Sequence, residues 1–233
     1  MHVMKWLALA TDFDGTIATD GMVDEATVAA LQKIRSNGAT LLLVTGRELK
    51  DFAHAPGVLQ LFDAVVAENG GVLYSPATQE TKVIATPPPP EFAAELVRRG
   101  VPVSVGHVIV ATVEPHEVTV LELIKEMALE LQVIFNKGAV MVLPAGVNKA
   151  SGLQIALEGY GIHLSEVVAV GDAENDHAFL ECCGLSVAVA NALPALKERV
   201  KYVTRSNAGT GVTELIDSLL RGELDPMERE ESA

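Results

Sequence analysis

An apolar run, Trp6-Leu7-Ala8-Leu9-Ala10, passes through Thr11 into Asp12-Phe13-Asp14-Gly15-Thr16. The pattern predicts a buried central strand that ends abruptly in carboxylates. The same punctuation recurs twice. Thr40 to Val44 is a second apolar strand and leads into Thr45-Gly46-Arg47. Val167 to Val170 is a third and leads into Gly171-Asp172-Ala173-Glu174-Asn175-Asp176. A fourth element, Lys149, instead opens a helical pattern. Ligands of parallel α/β sheets bind beyond the carboxyl ends of strands, so these positions converge if their strands are neighbours.

Strands and helices alternate around these motifs. Asp24 is placed to cap a helix with Val28, Leu31 and Ile34 at helical spacing, and Gly38 stops it. A helix is predicted around Glu48 to His54 and a strand over Ala64 to Ala67. Asn69-Gly70-Gly71 then turns the chain into Val72 to Tyr74. From Asn148 onward the pattern gives a helix to about Tyr160 and another over Glu174 to Cys182. A strand at Ser186 to Val189, a helix at Leu193 to Glu198, a strand at Tyr202 to Thr204 and a helix at Val212 to Leu220 follow. This is the pattern of a parallel sheet covered on both faces, a doubly wound α/β fold of Rossmann-like type.

Between these halves the texture changes. Pro76 and Pro144 bracket a block that contains the rigid run Pro87 to Pro90. Within it we read a strand at Val83 to Thr86, a helix at Glu91 to Arg99, a strand at His107 to Val113 and a helix at Glu117 to Leu131. Strands at Val133 to Asn136 and Val140 to Leu143 join at Lys137-Gly138. The organisation expected is a core of 1–78 and 146–222, an inserted α+β domain of 79–145 and a flexible tail of 223–233.

Lys plus Arg number 17 against 31 Asp plus Glu, a formal net charge of −14. That field repels nucleic-acid backbones and anionic membranes. It also repels a small phosphorylated metabolite, so a phosphate site here needs a local metal ion or lysine. The start of the chain is too short an apolar stretch for a signal segment, and no window suits a membrane span, which points to a cytoplasmic protein. The adjacent Cys182 and Cys183 suit neither a mutual disulfide nor a zinc site and read as apolar filler at a helix end.

Asp12 and Asp14 are two residues apart, so in extended chain their side chains lean to one side, and Gly15 permits a sharp turn. Carboxylates that close need a cation between them or a shared proton. One is then suited to attack phosphorus and the other to handle a proton. Each motif alone is a common strand end or helix start. Their joint order on this strand pattern carries the functional reading.

The motifs resemble those of the haloacid dehalogenase superfamily phosphatases, in the branch with a type IIB cap after the third core strand. Asp12-Phe13-Asp14-Gly15-Thr16 matches the first motif at every position, and Thr45, Lys149 and Gly171-Asp172 with Asn175-Asp176 match the other three. Asn69-Gly70-Gly71 and Gly211-Val212 also look like this branch. The resemblance implies Asp12 as nucleophile, forming an aspartyl phosphate, and Asp14 as the group that protonates the leaving oxygen and activates water. It implies Thr45, Gly46, Lys149 and Asn175 around the phosphoryl group. Mg²⁺ would be bound by the Asp12 carboxylate, the Asp14 carbonyl and Asp172, with Asp176 behind them. The implied substrate is a compact metabolite, a sugar phosphate or phosphoglycolate. A phosphomutase on sugar phosphates and a non-enzymatic phospho-aspartate switch are the alternatives. Arg47, directly after Thr45-Gly46, is equally readable as a residue that reaches substrate and as a plain helix-start surface residue. His107, His116, Asn136 and Lys137 are polar candidates of the insert, with Lys137 the foremost.

Overall fold

Apolar runs bounded by Gly, Pro and capping residues become strands, and amphipathic segments become helices. The computed structural model describes residues 6–54 and 57–224. In chain order the elements are β1 (Ala8–Thr11), α1 (Glu25–Ser36), β2 (Thr40–Val44), β3 (Ala64–Ala67), β4 (Val72–Ser75), β5 (Glu80–Val83), α2 (Pro90–Arg98), β6 (Ser104–Val105), β7 (Val110–Val113) and α3 (Glu117–Glu126). They continue with β8 (Leu131–Asn136), β9 (Ala139–Pro144), α4 (Lys149–Glu158), β10 (Val167–Gly171), α5 (His177–Cys182), β11 (Leu185–Ala188), α6 (Pro194–Lys197), β12 (Tyr202–Val203) and α7 (Ala208–Leu220).

The large sheet runs β12-β11-β10-β1-β2-β3-β4-β5. From β12 to β3 all pairings are parallel, and β4 and β5 extend the sheet antiparallel. β1 lies between β10 and β2, with Ala8 opposite both Val167 and Thr40. Strands β1, β2 and β10 are buried almost throughout, as strands covered on both faces must be. Helices α1 and α7 pack together, and α4 packs with α5. Thus the expected doubly wound α/β core is present, with an antiparallel extension.

Local sequence explains the helix starts. Asp24 accepts the Thr27 N–H at 2.8 Å, and α1 buries Thr27, Ala30, Leu31 and Ile34. Asn148 and Ser151 form a reciprocal cap that fixes Lys149 in the first turn of α4. Pro90 opens α2, where its missing N–H costs nothing.

A second, antiparallel sheet runs β6-β7-β9-β8. One of its faces meets α2 and α3 through Phe92, Leu96, Val120, Leu123, Val140 and Val142, all fully or almost fully buried. Burying each such side chain contributes roughly 1.5–3 kcal/mol. The opposite face, with Ile109, Met141 and Leu143, packs into the apolar core of the large sheet. The smaller unit therefore lies down on the larger one.

Several boundaries differ from the sequence reading. The strand expected at 83–86 inside the insert is β5 at Glu80–Val83, and it pairs with β4 at the edge of the large sheet. Its exposed face gave no apolar alternation to follow. The helix expected over 48–54 is a 3-10 turn, Leu49–His54. The helix expected to reach Leu131 ends at Glu126, because Ala128 turns with φ 50°. The 174–182 helix begins as a 3-10 turn before α5. β6 was not foreseen; two residues carry no period. Of the expected tail, Leu224 accepts a hydrogen bond from the Trp6 indole at 2.7 Å. Residues 225–233, like 1–5 at the start, lie outside the described residues.

Candidate active site

β10, β1 and β2 are neighbours, so Asp172, Asp12 and Thr45, each directly after its strand, stand side by side at one sheet edge. Asp12, Asp172 and Asp176 each offer a carboxylate oxygen within 4.8 Å of the others. All three side chains are buried. Such a cluster requires cations close by.

Lys149 is the first. Its ammonium donates to Asp12 Oδ1 and Asp176 Oδ1, both at 2.5 Å, and the side chain is almost wholly buried. Burial works against its charge, but Asp12 and Asp176 outweigh that and hold its pKa above the ordinary lysine value. Burial pushes the Asp12 carboxyl up to about 7, with the charges of Asp176 and Asp172 adding to the rise and Lys149 opposing it. Burial likewise raises Asp172.

Asp176 has both oxygens engaged. Oδ2 accepts the N–H groups of Asp172 and Ala173 at 2.8 and 3.0 Å. A side chain on Gly171 would collide with that carboxylate, since a Cβ there would lie 2.6 Å from Asp176 Oδ2. Asp176 thus shapes the loop that carries Asp172.

Asp14 turns away from this cluster. Arg47 grips its carboxylate with two hydrogen bonds, Nε to Oδ2 at 2.7 Å and Nη2 to Oδ1 at 2.6 Å. The guanidinium also lies over the rings of Phe13 and Phe52, 4.9 and 5.7 Å from their centroids. The Asp14 carbonyl, in contrast, faces inward. It accepts the Lys137 ammonium at 2.7 Å, and Lys137 also reaches Asp172 Oδ2 at 2.8 Å. Thr16 Oγ1 donates to the other Asp172 oxygen at 3.3 Å. Gly15, at φ +83°, leaves no room for a side chain: a Cβ would lie 2.4 Å from Asp172 Oδ2.

Thr45 is buried, and its hydroxyl accepts the Arg47 N–H at 3.1 Å. Asn175 donates to Asn69 Oδ1 at 2.9 Å, and a Cβ on Gly46 would contact both amides. The structure therefore brings Asp12, Lys149, Asp172 and Asp176 into one buried cluster, and the Asp14 carbonyl joins it through Lys137. Asp14, Gly46 and Arg47 line a cavity with Asp12, while Thr45 is tied to Arg47 and Asn175 to Asn69. Arg47 follows the Thr-Gly pair directly and was the visible signal, whereas the role of Asn69 hides in an ordinary-looking turn.

The insert closes the hollow from above. Glu68 to Gly70 all have positive φ, and this loop turns the fully buried Glu68 carboxylate toward the insert. It accepts the N–H groups of His107, Val108 and Ile109 at 3.0, 2.7 and 3.0 Å. Ser104 donates to Glu48 at 2.7 Å. Beneath the insert a cavity of about 270 Å³ is lined by Asp12, Asp14, Arg47, Asn136, Ala139 and Met141, among others. A second hollow of about 540 Å³ opens beside Asp14, Arg47, Lys137 and Asn191. Of the insert's polar candidates, Lys137 and Asn136 thus face the site, and the His107 ring pairs with Glu68.

The donor set suits Mg²⁺. That ion favours a few hard carboxylate and carbonyl oxygens. The oxygens of Asp172 and Asp14 that it would use here already hold a cation, the Lys137 ammonium.

The comparisons with known proteins agree with this fold. The family model for haloacid dehalogenase-like hydrolases matches residues 9–99 and 104–216. A phosphoglycolate phosphatase from Methanothermobacter thermautotrophicus is 36% identical over 220 residues, covering 90% of this chain and 96% of its own. One from Methanosarcina acetivorans is 31% identical, covering 93% and 97%. Among solved structures, a haloacid dehalogenase-like hydrolase from Bacteroides thetaiotaomicron superposes with TM-score 0.80 at 19% identity, over 92% of this chain and all of that one. A subclass IIB sugar phosphatase gives TM-score 0.72 at 21% identity, over 90% and 97%. No helix among the described residues is long and apolar enough to cross a membrane. The chain belongs to the haloacid dehalogenase-like hydrolase family, as a phosphatase.

Proposed function

We propose that this phosphatase is a Mg²⁺-dependent phosphomonoesterase acting on a small phosphorylated acid, 2-phosphoglycolate first among them, through an aspartyl phosphate on Asp12. The observation that carries this reading is the buried Asp12–Lys149–Asp176 triad, whose Asp12 also lines a small cavity beneath the insert. A cavity of about 270 Å³ suits a compact metabolite better than a macromolecule. The two relatives above carry the name phosphoglycolate phosphatase.

Asp12 supplies the attacking oxygen. Lys149 orients that carboxylate and stands ready to neutralise a phosphoryl oxygen. Thr45 and the Gly46 backbone hold further phosphoryl oxygens, with Asn175 at the edge of their site. Asp14 exchanges the proton with the leaving oxygen and then with water, which requires its carboxylate to leave the Arg47 grip. Asp12, the Asp14 carbonyl and Asp172 would hold the metal, and Asp176 keeps the Asp172 loop in shape. When bound, the metal offsets repulsion between the anionic nucleophile and the phosphate. The insert excludes water from the attack.

The test is phosphate release from a panel containing 2-phosphoglycolate and several sugar phosphates, with Mg²⁺ and with chelator. Preferred release from 2-phosphoglycolate, abolished by chelator, is expected. Faster release from sugar phosphates would overturn the substrate assignment, and full activity in chelator would overturn the metal.

A further inference from the structure

Lys137 sits at the tip of the β8–β9 hairpin, where Lys137 and Gly138 both have positive φ, at 49° and 81°. Positive φ at both central residues is the mark of a tight hairpin turn. Only Asn136 and Ala139 flank this turn as the last paired residues, so the tip is short and stiff. From it the ammonium reaches across to the core and bridges two oxygens of different segments, the Asp14 carbonyl at 2.7 Å and Asp172 Oδ2 at 2.8 Å.

These are two of the oxygens assigned above to the metal. An ammonium and a divalent ion on the same two oxygens lie close together and repel each other, so they compete for the site. The side chain is also 44% exposed and borders the 540 Å³ hollow with Arg47 and Asn191, so it has somewhere to go.

We propose that Lys137 is an internal cation that holds the metal ligands of the metal-free chain, and that metal binding hands it to an anionic group on the leaving side of the substrate. This rests on the phosphomonoesterase reading above. In the metal-free chain the lysine neutralises Asp172 and pins the insert down. Once displaced, its ammonium stands beside Arg47 in the same hollow. Two cations there match a leaving group that carries its own carboxylate.

The test uses the full chain, stripped of metal, with MgCl₂ alone as the probe. Calorimetric titration is compared for the wild type, Lys137→Met and Lys137→Arg. Lys137→Met is expected to bind Mg²⁺ about tenfold more tightly, the effect of removing one competing charge. Its metal-free melting temperature is expected to fall, and its metal-induced rise to exceed that of the wild type. Lys137→Arg, which keeps the charge, is expected to bind no more tightly than wild type. Unchanged or weaker binding by Lys137→Met would overturn the displacement. The second arm compares KM values. Lys137→Met is expected to raise KM for a carboxylate-bearing phosphomonoester at least about tenfold more than for the ester of a neutral alcohol of equal size. An equal effect on both would overturn the hand-over. Failure of the wild type to bind Mg²⁺ or to release phosphate from either ester would instead strike the underlying phosphatase reading.

Discussion

The Lys149 ammonium stands 2.5 Å from Asp12 Oδ1 and 2.5 Å from Asp176 Oδ1, buried with both. One cation at the start of α4 therefore ties the end of β1 to the loop after β10. A positive charge in a first helical turn opposes the helix dipole, so its position reflects the two carboxylates and not the helix. Lys149→Met leaves two buried carboxylates without their partner. The expected loss is about 3–5 kcal/mol in a urea melt, together with activity. A stability change below about 1 kcal/mol would contradict the triad's structural weight.

Asp12 makes stability depend on pH. Its carboxyl is held at about 7 in the fold against an ordinary 3.8, chiefly by burial. A raised carboxyl contributes fully below the unfolded value and loses that contribution as the pH climbs through the folded one. Asp12→Asn stays neutral throughout, and Lys149 retains Asp176. In chelator, the melting temperature of Asp12→Asn minus that of the wild type is therefore expected to grow between about pH 4 and pH 7, by about 5 °C or more, then level off. A difference that stays flat with pH would show that Asp12 is not raised.

Glu68 is the core's grip on the insert. Its carboxylate accepts three consecutive backbone N–H groups, of His107, Val108 and Ile109. Glu68→Gln sets an amide against those donors. A loss of about 1–3 kcal/mol is expected, with faster hydrogen exchange at 107–109. Unchanged exchange at those amides would sink the assignment of Glu68 as the anchor.

Gly15 tests the closeness of the first loop to Asp172. Gly15→Ala forces a Cβ to within 2.4 Å of Asp172 Oδ2 at a backbone φ of +83°. Asp172 and the Lys137 ammonium, 2.8 Å from the same point, must give way at a backbone angle that disfavours any side chain, so a loss of about 1–3 kcal/mol in a urea melt is expected. Wild-type stability would contradict the close approach of this loop to Asp172.

Much of this was legible from residue order. Asp12, Thr45 and Asp172 each follow a continuous apolar run, and parallel strands bring such ends together whatever the intervening chain does. What escaped depended on partners distant in sequence. β5 is exposed along its length, and only its pairing with β4 assigns it to the large sheet. Arg47 could be read either as reaching substrate or as a surface residue, because its partner, Asp14, lies 33 positions earlier. Glu68 gave no sign of burial, since a charged residue after a strand is normally solvated and its three donors belong to another unit. Lys137 could be singled out as a turn residue suited to an anionic or hydroxylated substrate, but its contacts with Asp14 and Asp172 needed the fold.

The account rests on phosphorus passing through Asp12. Turnover of 2-phosphoglycolate with Mg²⁺, quenched rapidly into borohydride, reduces an acyl phosphate to homoserine, which peptide mass spectrometry locates. Homoserine at position 12, absent from Asp12→Asn, is the expected result. Phosphate release with position 12 never modified, or with the modification at Asp14, would contradict the account.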